Sequence, residues 1–170
     1  MVNYLSVDKR TSFFVQAYVI PFVALVISGI LRCKVGCVPV TAQSFVVLRL
    51  AASCSRARLS TILLSYLVFS VLTSPDIVYT GGYLIGFIIA AQVLHAEATV
   101  VLLPTWLGIR LVVAQGIIWA CGVLWLCQLV ELRQALVLGV MPFIITDLLK
   151  LALVFLSLPR RAQGRSWGAI

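Results

Sequence analysis

Long uncharged apolar runs leave this chain few ways to fold. The segment 13–31 contains no Asp, Glu, Lys or Arg, and at 1.5 Å per residue it is long enough to cross the ~30 Å hydrocarbon core of a bilayer. Lipid offers nothing for a backbone N–H or C=O to bond, so runs of this kind become helices that pack against one another. Composition agrees. Of 170 residues, 62% are hydrophobic and 11% charged, whereas a soluble domain carries about a quarter charged residues to keep its surface wet.

Six apolar segments can be drawn, at about 13–31, 44–54, 59–73, 82–94, 105–130 and 143–158. The second is short, carries Arg49, and reads as a half-length helix. The last belongs to a longer apolar stretch, 134–158, that Pro142 interrupts. A short re-entrant piece is expected there, followed by a helix starting near Thr146 with Thr146 or Asp147 as its cap. The expectation is an all-α integral membrane protein, a bundle of six transmembrane helices forming one domain over 1–170.

Thirteen Lys and Arg against five Asp and Glu give a net charge of +8. These charges sit at the ends of apolar runs rather than on a wet face, which excludes nucleic acid as a partner. Six crossings place both termini on one side. With that side cytoplasmic, Lys9, Arg10, Arg56, Arg58, Arg110, Arg160, Arg161 and Arg165 lie inside, and Arg32, Lys34 and Arg133 outside, as the positive-inside rule requires. No cleavable signal peptide is evident. The expected location is the cytoplasmic (inner) membrane, with both termini cytoplasmic.

Polar groups inside a membrane are costly and mark function by default. Asp147 and Lys150 share one helix face at i and i+3. They are expected either to neutralise each other as a structural pair or to bind a small polar molecule, with Lys150 facing a carboxylate and Asp147 accepting from N–H groups. Gln43, after Pro39-Val40-Thr41-Ala42, offers an amide that donates and accepts; the plain alternative is an interfacial turn residue. Gly81 and Gly82 read as the entry to a helix where the backbone approaches a ligand or a neighbouring helix, with Tyr83 adding a ring with a polar tip. Gly82, Gly86 and Ala90 make a small-residue stripe suited to tight packing.

Other features exclude chemistry. His95 and Glu97 are too sparse for catalysis and are expected to be solvated. Cys33 and Cys37 lack the further ligands a zinc site needs, although a disulfide between them is open if their loop faces an oxidising space; Cys121 and Cys127 read as small core residues. No Gly-rich phosphate loop, HExxH or Ser/His/Asp set is present. Neither an enzyme nor a cofactor or metal site is expected.

Three motifs then resemble one family. Pro39-Val40-Thr41-Ala42-Gln43, Thr80-Gly81-Gly82-Tyr83-Leu84-Ile85-Gly86-Phe87, and Gly139 to Lys150 ending Thr146-Asp147-Leu148-Leu149-Lys150 are similar, in order and helix context, to the BioY family over roughly residues 20–158. Its members are the membrane-embedded substrate-binding (S) components of energy-coupling-factor biotin transporters. The resemblance implies a six-helix bundle holding biotin near its outer face, with Gln43, Tyr83, Asp147 and Lys150 as contacts and Gly81 and Gly82 shaping the pocket wall. It also implies a transmembrane coupling protein and two cytoplasmic ATPases as partners, docking on small residues of the first helix such as Ala24 and Ser28. The chain departs from the family pattern in a shorter Thr73–Thr80 connection, in Val78-Tyr79 and Ile145-Thr146, and in Arg49. The alternatives are an S component for another small carboxylate vitamin and a multi-pass structural or assembly protein without a ligand.

Overall fold

Helices take up most of the computed structural model, which describes residues 2–35, 38–95 and 104–158, and of 2–7, 33–35, 104 and 105 the backbone alone. Cys37, Glu97, Arg160, Arg161 and Arg165 lie outside the described residues, as do the side chains of Cys33 and Lys34. The elements in chain order are α1 (Val2–Phe14), a π-turn (Val15–Val19), α2 (Ile20–Ile30), β1 (Arg32–Val35), β2 (Val38–Thr41), α3 (Gln43–Ala51), α4 (Arg56–Thr73), α5 (Ile77–Leu94), α6 (Pro104–Leu126), α7 (Leu132–Gly139), a 3₁₀ turn (Met141–Phe143) and α8 (Ile144–Ser157).

Among the described residues, five stretches are long and apolar enough to cross a membrane: Asp8–Ile30, Arg56–Thr73, Ile77–Leu94, Trp106–Leu126 and Leu132–Ser157. Six crossings are expected from the sequence; the sixth segment is α3, which is not among these five. With 9 residues, α3 covers about 13 Å, under half the ~30 Å core. It is nonetheless central, since Val47, Leu48 and Ala51 have no exposure at all.

Helix faces sort by solvent in the way lipid demands. On α4, Leu59, Ile62, Leu63 and Tyr66 are buried while Leu64, Val68, Val71 and Leu72 point outward. The tightest contact joins α5 to α6 through the small-residue stripe. A Cβ on Gly82 would stand 2.5 Å from the Cys121 carbonyl oxygen and collide with Trp125, and one on Gly86 would stand 3.0 Å from Ile118 Cα. Only hydrogen fits at such an approach.

Three local expectations need correction. The segment before Gln43 is a strand rather than an open loop, because β2 pairs antiparallel with β1, placing Arg32 opposite Thr41 and Cys33 opposite Val40. That hairpin satisfies its own backbone, so the chain can turn back without leaving N–H groups exposed to lipid. At Pro142 the chain breaks as expected, but α8 starts at Ile144, two residues before Thr146, which leaves Phe143 in the cap position with no side-chain oxygen to offer. His95 is 2% exposed rather than solvated: it caps α5 directly after Leu94, in a turn whose Ala90, Ala91 and Leu94 are wholly enclosed.

Candidate functional site

A cavity of about 300 Å³ lies between the end of α2, the hairpin, the start of α3, the C-terminal half of α4, the first turns of α5, and α6 and α8. This is the small end of the range for small-molecule sites, which are typically apolar pockets with a few placed polar groups. Its walls include Val26, Val38, Phe69, Leu84, Phe87 and Phe143.

The polar floor centres on Asp147, 3% exposed. Gln115 Nε2 donates to its Oδ2 at 2.7 Å and Trp119 Nε1 to the same oxygen at 2.9 Å. Lys150 Nζ donates to Oδ1 at 2.6 Å and Ser44 Oγ at 3.4 Å. The remaining protons of Lys150 go to the Thr41 carbonyl at 2.6 Å and to Ser44 Oγ at 3.3 Å. A carboxylate and an ammonium taken out of water must find hydrogen bonds on every side, and here they do so by clamping β2, α3, α6 and α8 together.

Gln43 stands beside this floor. Its Nε2 donates to the Tyr66 hydroxyl, and its Oε1 accepts from Thr41 Oγ1 at 3.0 Å. The pair needs the glycine across from it, because a Cβ on Gly29 would sit 2.7 Å from Gln43 Nε2 and 3.0 Å from the Tyr66 hydroxyl. Tyr83 meets the cavity with its ring, tilted at 34° to that of Phe143 with centroids 5.9 Å apart, while its hydroxyl donates to the Gly139 carbonyl at 2.7 Å and so holds the break after α7.

Gly81 and Gly82 do not border the cavity. They lie inside α5, which begins a turn earlier than expected at Ile77, so the helix's own carbonyls take their N–H groups. Both face Trp125 of α6. Ser28, expected on a docking face, is 5% exposed and donates to the Leu25 carbonyl at 2.8 Å; it points into the bundle. Arg49 folds back on Ser53, whose Oγ donates to the Arg49 carbonyl at 2.8 Å, a cation in the last turn of α3 where the helix dipole favours it.

The structure adds site residues that sequence reasoning passed over. Gln115 is a buried amide in an apolar helix, and the rule that singled out Asp147 applied equally to it; Trp119 follows four residues later on the same face. Arg32 and Asp76 also line the cavity and pair at 2.5 Å, linking β1 to the α4–α5 connection. Nothing local in the sequence joins residues so far apart. Among the described residues, no group of His, Cys, Asp and Glu is arranged to hold a metal ion.

A model of the BioY family matches residues 7–166. The match spans nearly the whole chain, and the chain belongs to that family, the S components of energy-coupling-factor biotin transporters. It is a family of transporter components, not of enzymes. No curated protein and no solved structure matches.

Proposed function

We propose that this BioY-family protein captures biotin in the cavity between the hairpin and α8, as the substrate-binding subunit of an uptake system in the cytoplasmic membrane. The observation that carries the reading is a small apolar chamber with one concentrated polar floor, built on Gln43, Ser44, Asp147 and Lys150. Biotin has an apolar bicycle and chain, a ureido group at one end and a carboxylate at the other, and a chamber of this kind suits it.

The proposed contacts are Gln43, Tyr83, Asp147 and Lys150, with Gly81 and Gly82 acting indirectly by seating Trp125. Of the four bonds to Asp147, the one from Ser44 is longest at 3.4 Å, and a ureido N–H can take its place at little cost. Gln43 has a second amide proton for the ureido oxygen. Membership of the BioY family supports a working transporter that adds a coupling protein and two ATPases on the cytoplasmic side, with both ends of this chain on that side.

The second reading, another small carboxylate vitamin, shares the chamber but not the ureido contacts. Thermal unfolding of the purified protein against a panel of vitamins separates the readings, because a ligand that binds only the folded state stabilises it by mass action. A rise in melting temperature with biotin at micromolar concentration supports the proposal. A rise with another vitamin and none with biotin transfers the site to that compound, and no rise with any contradicts a binding function.

A further inference from the structure

Among the described residues, two ion pairs of unequal standing line the cavity. In the Lys150–Asp147 pair the side chains are 15% and 4% exposed, whereas in the Arg32–Asp76 pair they are 35% and 16% exposed. An entering ligand carboxylate needs a cation, and each of these two cations already faces a carboxylate. Lys150 has its three protons committed, and opening a buried, fully bonded pair strands a charge. Arg32 is the most exposed of the four groups, and through one nitrogen it makes one bond among the described residues, so drawing it toward a ligand costs less.

Arg32 is also the better shaped partner. Its guanidinium presents two edges of N–H donors, and among the described residues Nη1 is the nitrogen engaged, with Asp76 Oδ2. The Nε–Nη2 edge suits the two oxygens of a carboxylate.

We propose that Arg32 reads the carboxylate of the ligand, with Asp76 as the internal carboxylate that holds the guanidinium ready and competes with the ligand for it. This rests on the biotin reading above and deepens it. It sets the ligand's direction, neutral head toward Asp147 as expected from the sequence, and charged tail toward Arg32 in place of Lys150. Specificity for an acid over its amide then resides at Arg32 rather than at Lys150.

The test is a binding titration of the purified full-length protein with biotin and with the uncharged biotin amide, in the parent, Arg32→Gln and Asp76→Asn. The parent should prefer biotin roughly ten- to hundred-fold, the span of a charge-assisted bond. Arg32→Gln should lose that preference while holding the amide as before. Asp76→Asn, with the competing carboxylate gone, should bind biotin at least as tightly as the parent. If Arg32→Gln does not fold, Arg32→Lys carries the test: it keeps the charge without the fork and should lose part of the preference. A parental preference in either Arg32 variant overturns the proposal, as does a parent that binds acid and amide alike. Equal losses of both ligands in Arg32→Gln and Asp76→Asn also overturn it, since they would mark the pair as a structural latch. A parent that binds neither ligand fails earlier, at the biotin reading itself.

Discussion

Asp147 and Lys150, one turn apart on α8, are bonded at 2.6 Å and draw Thr41, Ser44, Gln115 and Trp119 into the same network. The network is both a clamp and a surface of the cavity, and these two roles make different predictions. As a clamp, either single variant, Asp147→Leu or Lys150→Met, strands a buried charge and should cost about 3–5 kcal/mol of stability. The double variant should recover much of that, because no charge is left unpaired. As a binding surface, all three should lose biotin affinity. Denaturation and binding measured on the same preparations test this, and a stable double variant with parental biotin affinity would reduce the pair to a structural role.

Gly82→Ala should destabilise the protein by about 1–3 kcal/mol, the cost of overpacking a tight contact. The new methyl would meet the Cys121 carbonyl, a backbone atom that cannot rotate away, as well as Trp125. Gly116→Ala is the control on the partner helix: nothing lies within 4 Å of its Cβ position, and alanine is the better helix former by up to about 1 kcal/mol. Unfolding curves of the two variants should move in opposite directions, or only the first should move. Equal destabilisation would contradict the packing described for α5 and α6.

Orientation can be read by cysteine labelling from outside intact cells. With Cys33 and Cys37 replaced by serine, Glu131→Cys should label with an impermeant maleimide, and Arg56→Cys should label only after permeabilisation. Native Cys54 adds little background: it is 8% exposed, and burial pushes its thiol above the ordinary range against the opposing pull of Arg58 and Arg49. It is therefore protonated at neutral pH, and its labelling should grow only as the pH rises and thiolate forms. Labelling of Arg56→Cys in intact cells would invert the proposed topology.

The apolar runs made the crossing helices, the short α3 and the break at Pro142 legible, because periodicity and proline act locally. The Asp147–Lys150 face was legible for the same reason. The hairpin was not, since strands as short as Arg32–Val35 and Val38–Thr41 carry no alternation to read. The start of α5 was misplaced because the glycines drew the boundary to Gly82, although Pro75 and Asp76 signalled a start at Ile77. Arg32 and Asp76 looked like ordinary charges at helix ends. Only the pairing of β1 with β2 brings that arginine to the α4–α5 connection, and no local pattern encodes it.

The central claim, that the chamber beside Asp147 is where biotin binds, is tested most directly by equilibrium dialysis with labelled biotin on the parent and on Gly29→Leu. Gly29 borders the cavity, and even a Cβ there would press on Gln43 and Tyr66; a leucine would extend into the space a ligand needs. The account predicts saturable binding of one biotin per parent chain and its loss in a Gly29→Leu protein that still purifies as a folded monodisperse species. A parent that fails to bind biotin, or a folded Gly29→Leu that binds it as tightly as the parent, would contradict the claim.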